Sequence, residues 1–480
     1  MDDQLLPGVP LQNSRFLHLF QKGQLFCLQH NLTLEKVYGG RILQLLYECC
    51  HNPMSFNDIL NYLGPEFAKD IVEESILLLF KRGLLIQNDD IDSALYLILT
   101  NSGCNEADIS LLYLVPTIDC NFKCQYCFVK DDGKPYNIKL MNLKTAKMGI
   151  DIFAKLTEKN DIPANITYYG GEPLLNAEVI YESMRYIRRL EKEAVFKEPV
   201  TITLITNGSL ISERTLEVLA EIKPLVSVSI DGPANLHDAA RKDVAGQGTF
   251  ARALAGYQQL QERGLEPGIS CTISQSNLHR IDEVVAFILG ELKTGGMGFN
   301  IILPQISDKN TQDYDYELAA KQVIRAFTIL REHGVYEDRM MRRVKPYINK
   351  SFHLKDCRGV GGQLVLTPEG RIGPCQAFLG MDNFFPLTVD ELFGKISTIT
   401  SDNIYENPLF DEWRHRFPLN MKDCLDCFAI GICGGGCPYA ALITYGSIWE
   451  IDQRVCYQAK QMMEWMIWDT YDHLMESSNK

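Results

Sequence analysis

The chain has 480 residues, 46% of them hydrophobic, with a formal net charge of −14. That is apolar material for more than one buried core, and the acidic balance excludes a general nucleic-acid-binding role. No apolar run reaches the roughly 18 residues of a membrane span, and the opening MDDQLLPGVP is acidic and lacks the apolar stretch of a secretory signal, so a cytoplasmic protein without a membrane partner is expected.

Residues 1–100 read as a separate winged-helix-like unit. FLHLFQKGQLFCLQHN alternates around Lys-Gly, as a hairpin does. GGRILQLLYECC carries Ile42, Leu45, Leu46 and Cys49 at helical spacing. SFNDILNYLG has a Ser at its start and a Gly at its end, the signals of helix entry and exit. In DIVEESILLLFKRG, Val72, Ile76, Leu79 and Phe80 share one face, and LLIQ then resumes as a strand.

Residues 101–345 change to an alternation of strands and helices. ISLLYLVPT, ANITYY, VTITLIT, LVSVSI, PGISCTIS and GMGFNIIL read as six strands. Amphipathic stretches near 142–157, 177–194, 211–222, 249–264, 279–293 and 313–333 follow them. Repeats of this length imply an α/β fold with a parallel sheet. The alternatives are a partial (β/α)6 barrel and a doubly wound sheet, and both place chemistry at the carboxyl ends of the strands. The basic stretch RMMRRVK (339–345) reads as a solvated helix end.

Residues 346–480 are rich in Gly and Cys, with weak periodicity until a helix near 456–475. Metal sites are expected to organise this part in place of an apolar core.

The chain has 15 cysteines. In a reducing compartment these point to metal or redox chemistry, not to a disulfide framework. Cys27, Cys49, Cys50 and Cys104 read as small apolar core residues, and so does Cys271, which shares its strand face with Ile269 and Ile273. The other ten fall into two groups. Cys120, Cys124 and Cys127 follow the end of the first barrel-type strand. Three thiolates on a short loop can cap one face of a four-iron cluster and leave one iron without a protein ligand. A structural zinc site would need a fourth Cys or His nearby, and none occurs between 128 and 152.

Cys120-x3-Cys124-x2-Cys127, with Tyr126 before the last Cys, resembles the signature of the radical S-adenosylmethionine (SAM) superfamily. YYGGEP, after the second strand, resembles that family's Gly-Gly-Glu-Pro motif. The resemblance implies that SAM chelates the open iron and that an external electron donor, such as a flavodoxin or ferredoxin, starts cleavage to a 5′-deoxyadenosyl radical. It also implies SAM contacts at Tyr126, at Gly170, Gly171, Glu172 and Pro173, at Thr206 and Asn207, at Ser229, and at Arg241 as partner of the SAM carboxylate.

Cys357, Cys375, Cys424, Cys427, Cys433, Cys437 and Cys456, in this order and spacing, resemble the SPASM domain of radical SAM enzymes that modify peptides or proteins. The resemblance implies two auxiliary four-iron clusters, for three [4Fe-4S] clusters in all. Cys357, Cys375 and Cys437 would hold the inner one, and Cys424, Cys427, Cys433 and Cys456 the outer one. The inner set is one ligand short. Asp356 or His353 could fill that position, or it would take a substrate thiolate. The N-terminal unit resembles the leader-recognition element of ribosomal peptide maturation systems, which captures a precursor's leader as an added strand.

The expected function is therefore maturation of a ribosomally made precursor peptide, with Cys thioether formation preferred. Carbon–carbon (cyclophane) cross-linking follows, then epimerisation, for which Cys271 would be the hydrogen donor. Sulfatase maturation by formylglycine formation is a further alternative. Outside catalysis, the alternative is a binding module with structural zinc. No acid–base residue is singled out.

Overall fold

The structure is a computed structural model that describes residues 5–6, 8–105, 109–129, 139–305 and 314–478. The N-terminal unit starts with a short strand, β1 (Gln12–Asn13), followed by β2 (Leu17–Lys22) and β3 (Leu25–His30). β2 and β3 form the foreseen hairpin, turning at Gly23, whose φ of 64° suits glycine. β4 (Lys36–Gly39) adds to β3, giving a three-stranded antiparallel sheet with β2 and β4 at its edges. Helices Arg41–Cys49, Phe56–Leu63 and Lys69–Lys81 follow, and the Ser55 hydroxyl caps the second by accepting from the Asp58 amide. β5 (Leu85–Ile86) closes the unit against β1.

One helix is rotated slightly from its expected face. Leu46 is buried as expected, but Leu43 and Cys50 are buried with it, while Ile42, Leu45 and Cys49 only flank the core. Helix Asp90–Asn105 was not foreseen. Its apolar residues run on without a helical period, and it docks through the Tyr96 hydroxyl on the Leu419 carbonyl at 3.0 Å.

β6 (Leu111–Leu114), β7 (Asn165–Tyr168), β8 (Thr201–Thr206), β9 (Leu225–Ser229), β10 (Gly268–Ile273) and β11 (Gly296–Ile301) are the six expected strands. They lie side by side in chain order, all parallel. A doubly wound sheet reverses its order part-way, so the unbroken order selects the partial barrel. β12 (Tyr336–Glu337) forms one edge. At the other end the sheet runs on past residue 345: β13 (Gln363–Leu366) pairs parallel with β6, and β14 (Arg371–Gly373) and β15 (Leu387–Thr388) add antiparallel. Connecting helices include Leu143–Thr157, Ala177–Lys192, Glu213–Ile222, Phe250–Glu262 and Tyr316–Glu332, close to the expected ranges. A short helix, Ala234–Ala240, was not anticipated.

The last helix, Gln453–Ser478, binds the parts together. Asp469 pairs with Arg331 on the barrel, and the Ile467 carbonyl accepts from the Tyr38 hydroxyl of the N-terminal sheet at 2.6 Å. Among the described residues no helix is long and apolar enough to cross a membrane.

The basic stretch 339–345 is a correction. It lies on the helix Asp338–Ile348, but that helix is not a solvated end. Arg343 is 3% exposed, and Arg339, Arg342 and Arg343 all line an internal cavity. Cys271 is fully buried and lies outside that cavity, whereas its neighbours Ser270 and Thr272 line it. Its full burial outside the cavity fits the core reading and leaves it badly placed to donate hydrogen to a bound peptide. Cys27 and Cys50 are core residues, while Cys49 and Cys104 are half-buried at its margin.

Candidate active site

The barrel strands enclose a cavity of about 1840 Å³. β8 illustrates its wall: Thr201, Thr203 and Ile205 face in, while Ile202 and Leu204 are buried on the helix side. At the carboxyl end of β6 the chain turns into the cysteine loop, and Cys120, Cys124 and Cys127 all line the cavity. The loop holds its own shape. The Phe122 amide donates to Cys120 Sγ at 3.4 Å, and the Cys127 amide donates to the Cys124 carbonyl at 3.3 Å. Burial pushes the Cys120 thiol up to about 12, against the pull of that Phe122 amide.

The glycines after β7 form a cradle around this loop. A Cβ on Gly171 would lie 2.1 Å from the Asp119 carbonyl oxygen, and one on Gly170 would lie 2.2 Å from that of Thr117. No other residue fits at either position, so the second strand end can press flat against the cysteine loop. Both glycines line the cavity. With three soft sulfur donors beside them, the residues present fit a four-iron cluster with a small chelating ligand.

Glu172 and Pro173 depart from expectation, because neither lines the cavity. The Glu172 side chain is fully buried and spoken for. Its carboxylate accepts from Leu174 N at 3.1 Å, Thr206 Oγ1 at 2.7 Å and Asn207 N at 2.7 Å. It thus ties the β7 end to the β8 end beneath the cavity floor. Burial pushes its pKa up to about 7, although these three bonds favour the ionised form. Thr206 and Asn207 do line the cavity, but the Thr206 hydroxyl is given to Glu172, and Asn207 Nδ2 donates to Asn121 Oδ1 at 2.9 Å. Ser229 lines the cavity at the end of β9.

Arg241 and Tyr126 both line the cavity and meet at a residue that sequence reasoning missed, Asp231. Arg241 donates from Nε to Oδ2 at 2.8 Å and from Nη2 to Oδ1 at 3.1 Å. Tyr126 donates its hydroxyl to Oδ2 at 2.5 Å, and Thr272 N donates to Oδ1 at 2.8 Å. One edge of the guanidinium is therefore committed inside the protein, and Nη1 points to Cys124 Sγ, at 4.0 Å. Burial opposes the Arg241 charge, but Asp231 beside it holds its pKa well above the ordinary value. Asp231 follows Ser229-Ile230 in SVSIDGP, so only its place at a strand end hinted at it.

The seven later cysteines separate in space. Cys357, Cys375 and Cys437 line the large cavity together with the first triad. Cys424, Cys427, Cys433 and Cys456 line a small second cavity. Among the described residues, no three Cys, His, Asp or Glu side chains converge on a single metal-ion position. Each sulfur set is instead spread around a cavity wall. Arg416, fully buried, fastens the loop between the two sets. It donates to the carbonyls of Gly435 at 2.7 Å, Gly436 at 3.1 Å, Glu450 at 3.1 Å, and Ile448. Of the two candidates for a fourth inner position, Asp356 is ion-paired with Arg343. His353 keeps Nε2 buried without a hydrogen-bond partner, and burial lowers its pKa to about 4, so the ring is neutral.

Comparison with known proteins agrees with this geometry. Residues 114–288 match the model of the radical SAM superfamily. A cysteine-type anaerobic sulfatase-maturating enzyme of Clostridium perfringens (strain 13) is 24% identical over 68% of this chain and 88% of its own length. The radical SAM cyclopropyl synthase TigE of Paramaledivibacter caminithermalis is 23% identical over 85% of each chain. Among solved structures, Streptococcus suis SuiB bound to its precursor peptide SuiA matches with a TM-score of 0.54 and 17% identity, over 93% of this chain and 99% of that one, and supports the fold. A radical SAM domain implies a four-iron cluster and SAM, and the sulfur triad against its glycine cradle is where both fit. With the superfamily match lying on the strands that carry that triad, residues 114–288 of the chain form a radical SAM domain.

Proposed function

We propose that this enzyme matures a ribosomally made precursor peptide by joining a Cys sulfur to a carbon of the same peptide. The observation that carries the reading is the shared cavity. Cys357, Cys375 and Cys437 open on the same space as Cys120, Cys124 and Cys127, and that space is about 1840 Å³. Small-ligand pockets run to roughly 1,000 Å³, so a nucleoside ligand leaves room for a peptide loop.

In this reading residues 1–100 recognise the leader, 101–345 form the radical SAM barrel and 346–480 form the SPASM part. The cysteines of the two cavities hold two auxiliary clusters beside the triad's own. Bound at the triad, the reduced cluster with SAM supplies a 5′-deoxyadenosyl radical. The chain's residues do the rest. Asp231 holds Arg241 and Tyr126 rigid against the cavity, Glu172 locks the two strand ends that floor it, and the barrel walls exclude water. In the net reaction one substrate C–H and one S–H bond break and one C–S bond forms. The hydrogen atom leaves in 5′-deoxyadenosine, the thiol proton goes to solvent, and the remaining electron passes to an external carrier such as a flavodoxin or ferredoxin.

Two features support a leader-bearing substrate. β2 and β4 are edges of the N-terminal sheet, where an extended peptide can add. The similarities to TigE and SuiB extend over 85% and 93% of the chain, against 68% for the sulfatase-maturating relative. A second reading, carbon–carbon bond formation, draws support from the name of TigE, a cyclopropyl synthase. The test is incubation of the reduced enzyme with SAM and the precursor encoded beside it. The product should lose two hydrogens, with the Cys thiol blocked to alkylation. A product with the same loss and a free thiol would move the assignment to carbon–carbon chemistry. Deleting residues 1–100 should weaken precursor binding while SAM cleavage without peptide persists. Undiminished affinity would reduce that unit to a structural part.

A further inference from the structure

The cavity is far more basic than the protein. Among the described residues, eight of the eleven charged side chains lining it are Arg or Lys, in a chain whose net charge is −14. Three of these cations are neutralised by a carboxylate of their own. Arg241 is held by Asp231, Arg343 by Asp356 and Arg454 by Asp452. Arg339 and Arg342 are different, because they share one carboxylate. Asp338 lies 2.7 Å from Arg342 and 3.9 Å from Arg339. The adjacent Glu337 attracts Arg339 through space, but its buried carboxylate accepts from Phe299 N at 2.7 Å and from Met340 N. Arg339 gives Nε to Asn300 Oδ1 at 3.1 Å, a neutral partner. The two side chains keep 40% and 41% of their surface accessible, and both line the cavity. Their mutual repulsion is one reason the Arg339 pKa lies below its ordinary value.

Their position matters for the chemistry. Tyr113 lies within electrostatic reach of Arg339 and Arg342 and of Cys357 and Cys375, and all five side chains line the same cavity.

We propose that Arg339 and Arg342 form a carboxylate-binding subsite that selects an Asp or Glu side chain of the peptide near its reacting Cys. The inference rests on the peptide-modifying reading above and adds the chemistry of the segment that enters. Two guanidiniums with one shared counter-ion are matched by one further carboxylate, which can bridge them through charge-assisted hydrogen bonds. The same pair disfavours a Lys at that position of the peptide.

The test is fluorescence anisotropy with the full, anaerobically reconstituted chain. The probes are three labelled peptides of sequence Gly-Cys-Gly-Xaa-Gly-Gly, with Asp, Asn or Lys at Xaa. The wild-type chain should bind the Asp peptide about ten-fold tighter than the Asn peptide. Arg342→Gln combined with Arg339→Gln should bring the two within about two-fold. Arg342→Lys should keep part of the preference, and Arg342→Glu should turn it toward the Lys peptide. Equal binding of the Asp and Asn peptides by the wild type, no binding of any, or a preference untouched by the double Gln variant would each overturn the subsite. These readouts are separate from the reaction. An Asp preference without any cross-linked product would refute the thioether reading alone, and cross-linking without the preference would refute the subsite alone.

Discussion

Asp231→Ala is the perturbation that most directly tests how the cavity wall carrying Arg241 and Tyr126 is built. Asp231 is fully buried and accepts four hydrogen bonds: two from Arg241, one from the Tyr126 hydroxyl and one from Thr272 N. Removing the carboxylate leaves a guanidinium that is 7% exposed with no carboxylate partner, and strips acceptors from a phenol and an amide. Breaking a buried pair from one side costs about 3–5 kcal/mol. Arg241→Ala removes the other partner and leaves Asp231 with two neutral donors. Because both single changes destroy the same interaction, the double variant should cost less than their sum by about 2 kcal/mol or more. Denaturant unfolding of the four proteins of the cycle measures the coupling, and hydrogen exchange at the Thr272 amide reports the site locally. SAM affinity of the loaded enzyme should fall in Asp231→Ala, since Tyr126 and Arg241 lose their common anchor. Additivity within about 0.5 kcal/mol would show that the pair contributes nothing by being together, and the account of this wall would fail.

Two further outcomes follow. Replacing Cys120, Cys124 and Cys127 together by Ala should remove about four iron atoms per reconstituted chain and abolish 5′-deoxyadenosine formation; persistent SAM cleavage would refute the triad as ligand set. Glu172 holds its proton up to about pH 7, above the ordinary carboxylate value, so the folded state binds more protons than the unfolded one between those values. Its stabilising contribution is present below the ordinary value and is lost as pH rises through about 7, by an amount on the order of 3 kcal/mol. The melting-temperature gap between wild type and Glu172→Gln should accordingly shrink from about pH 5 to about pH 8, and a constant gap would refute the burial argument.

Local signals were enough wherever a short stretch determines its own geometry. The alternation of apolar runs announced the six parallel strands, and the glycines of YYGGEP announced a close backbone approach. The three-thiol loop marked the stretch where the radical SAM match lies. These readings need only a period, a steric exception or a donor spacing, all of which are written along the chain. Even so, periodicity placed Leu46 inside but put Ile42, Leu45 and Cys49 beside it where Leu43 and Cys50 are buried, because a helix's rotation is set by what it packs against.

What the tertiary structure decided concerns partners far apart in sequence. Glu172 sits in the motif expected to touch SAM, yet its carboxylate is consumed by Thr206 and Asn207, 34 and 35 residues away. Asp231 gained its role only when Tyr126, 105 residues upstream, and Thr272, 41 residues downstream, closed on it. The basic stretch 339–345 looked like a solvated helix end because sequence shows the charges but not the wall they face. Which polar group is free to meet a ligand depends on which donors and acceptors the fold has already paired. That pairing exists only once distant strand ends are brought to one mouth of the barrel.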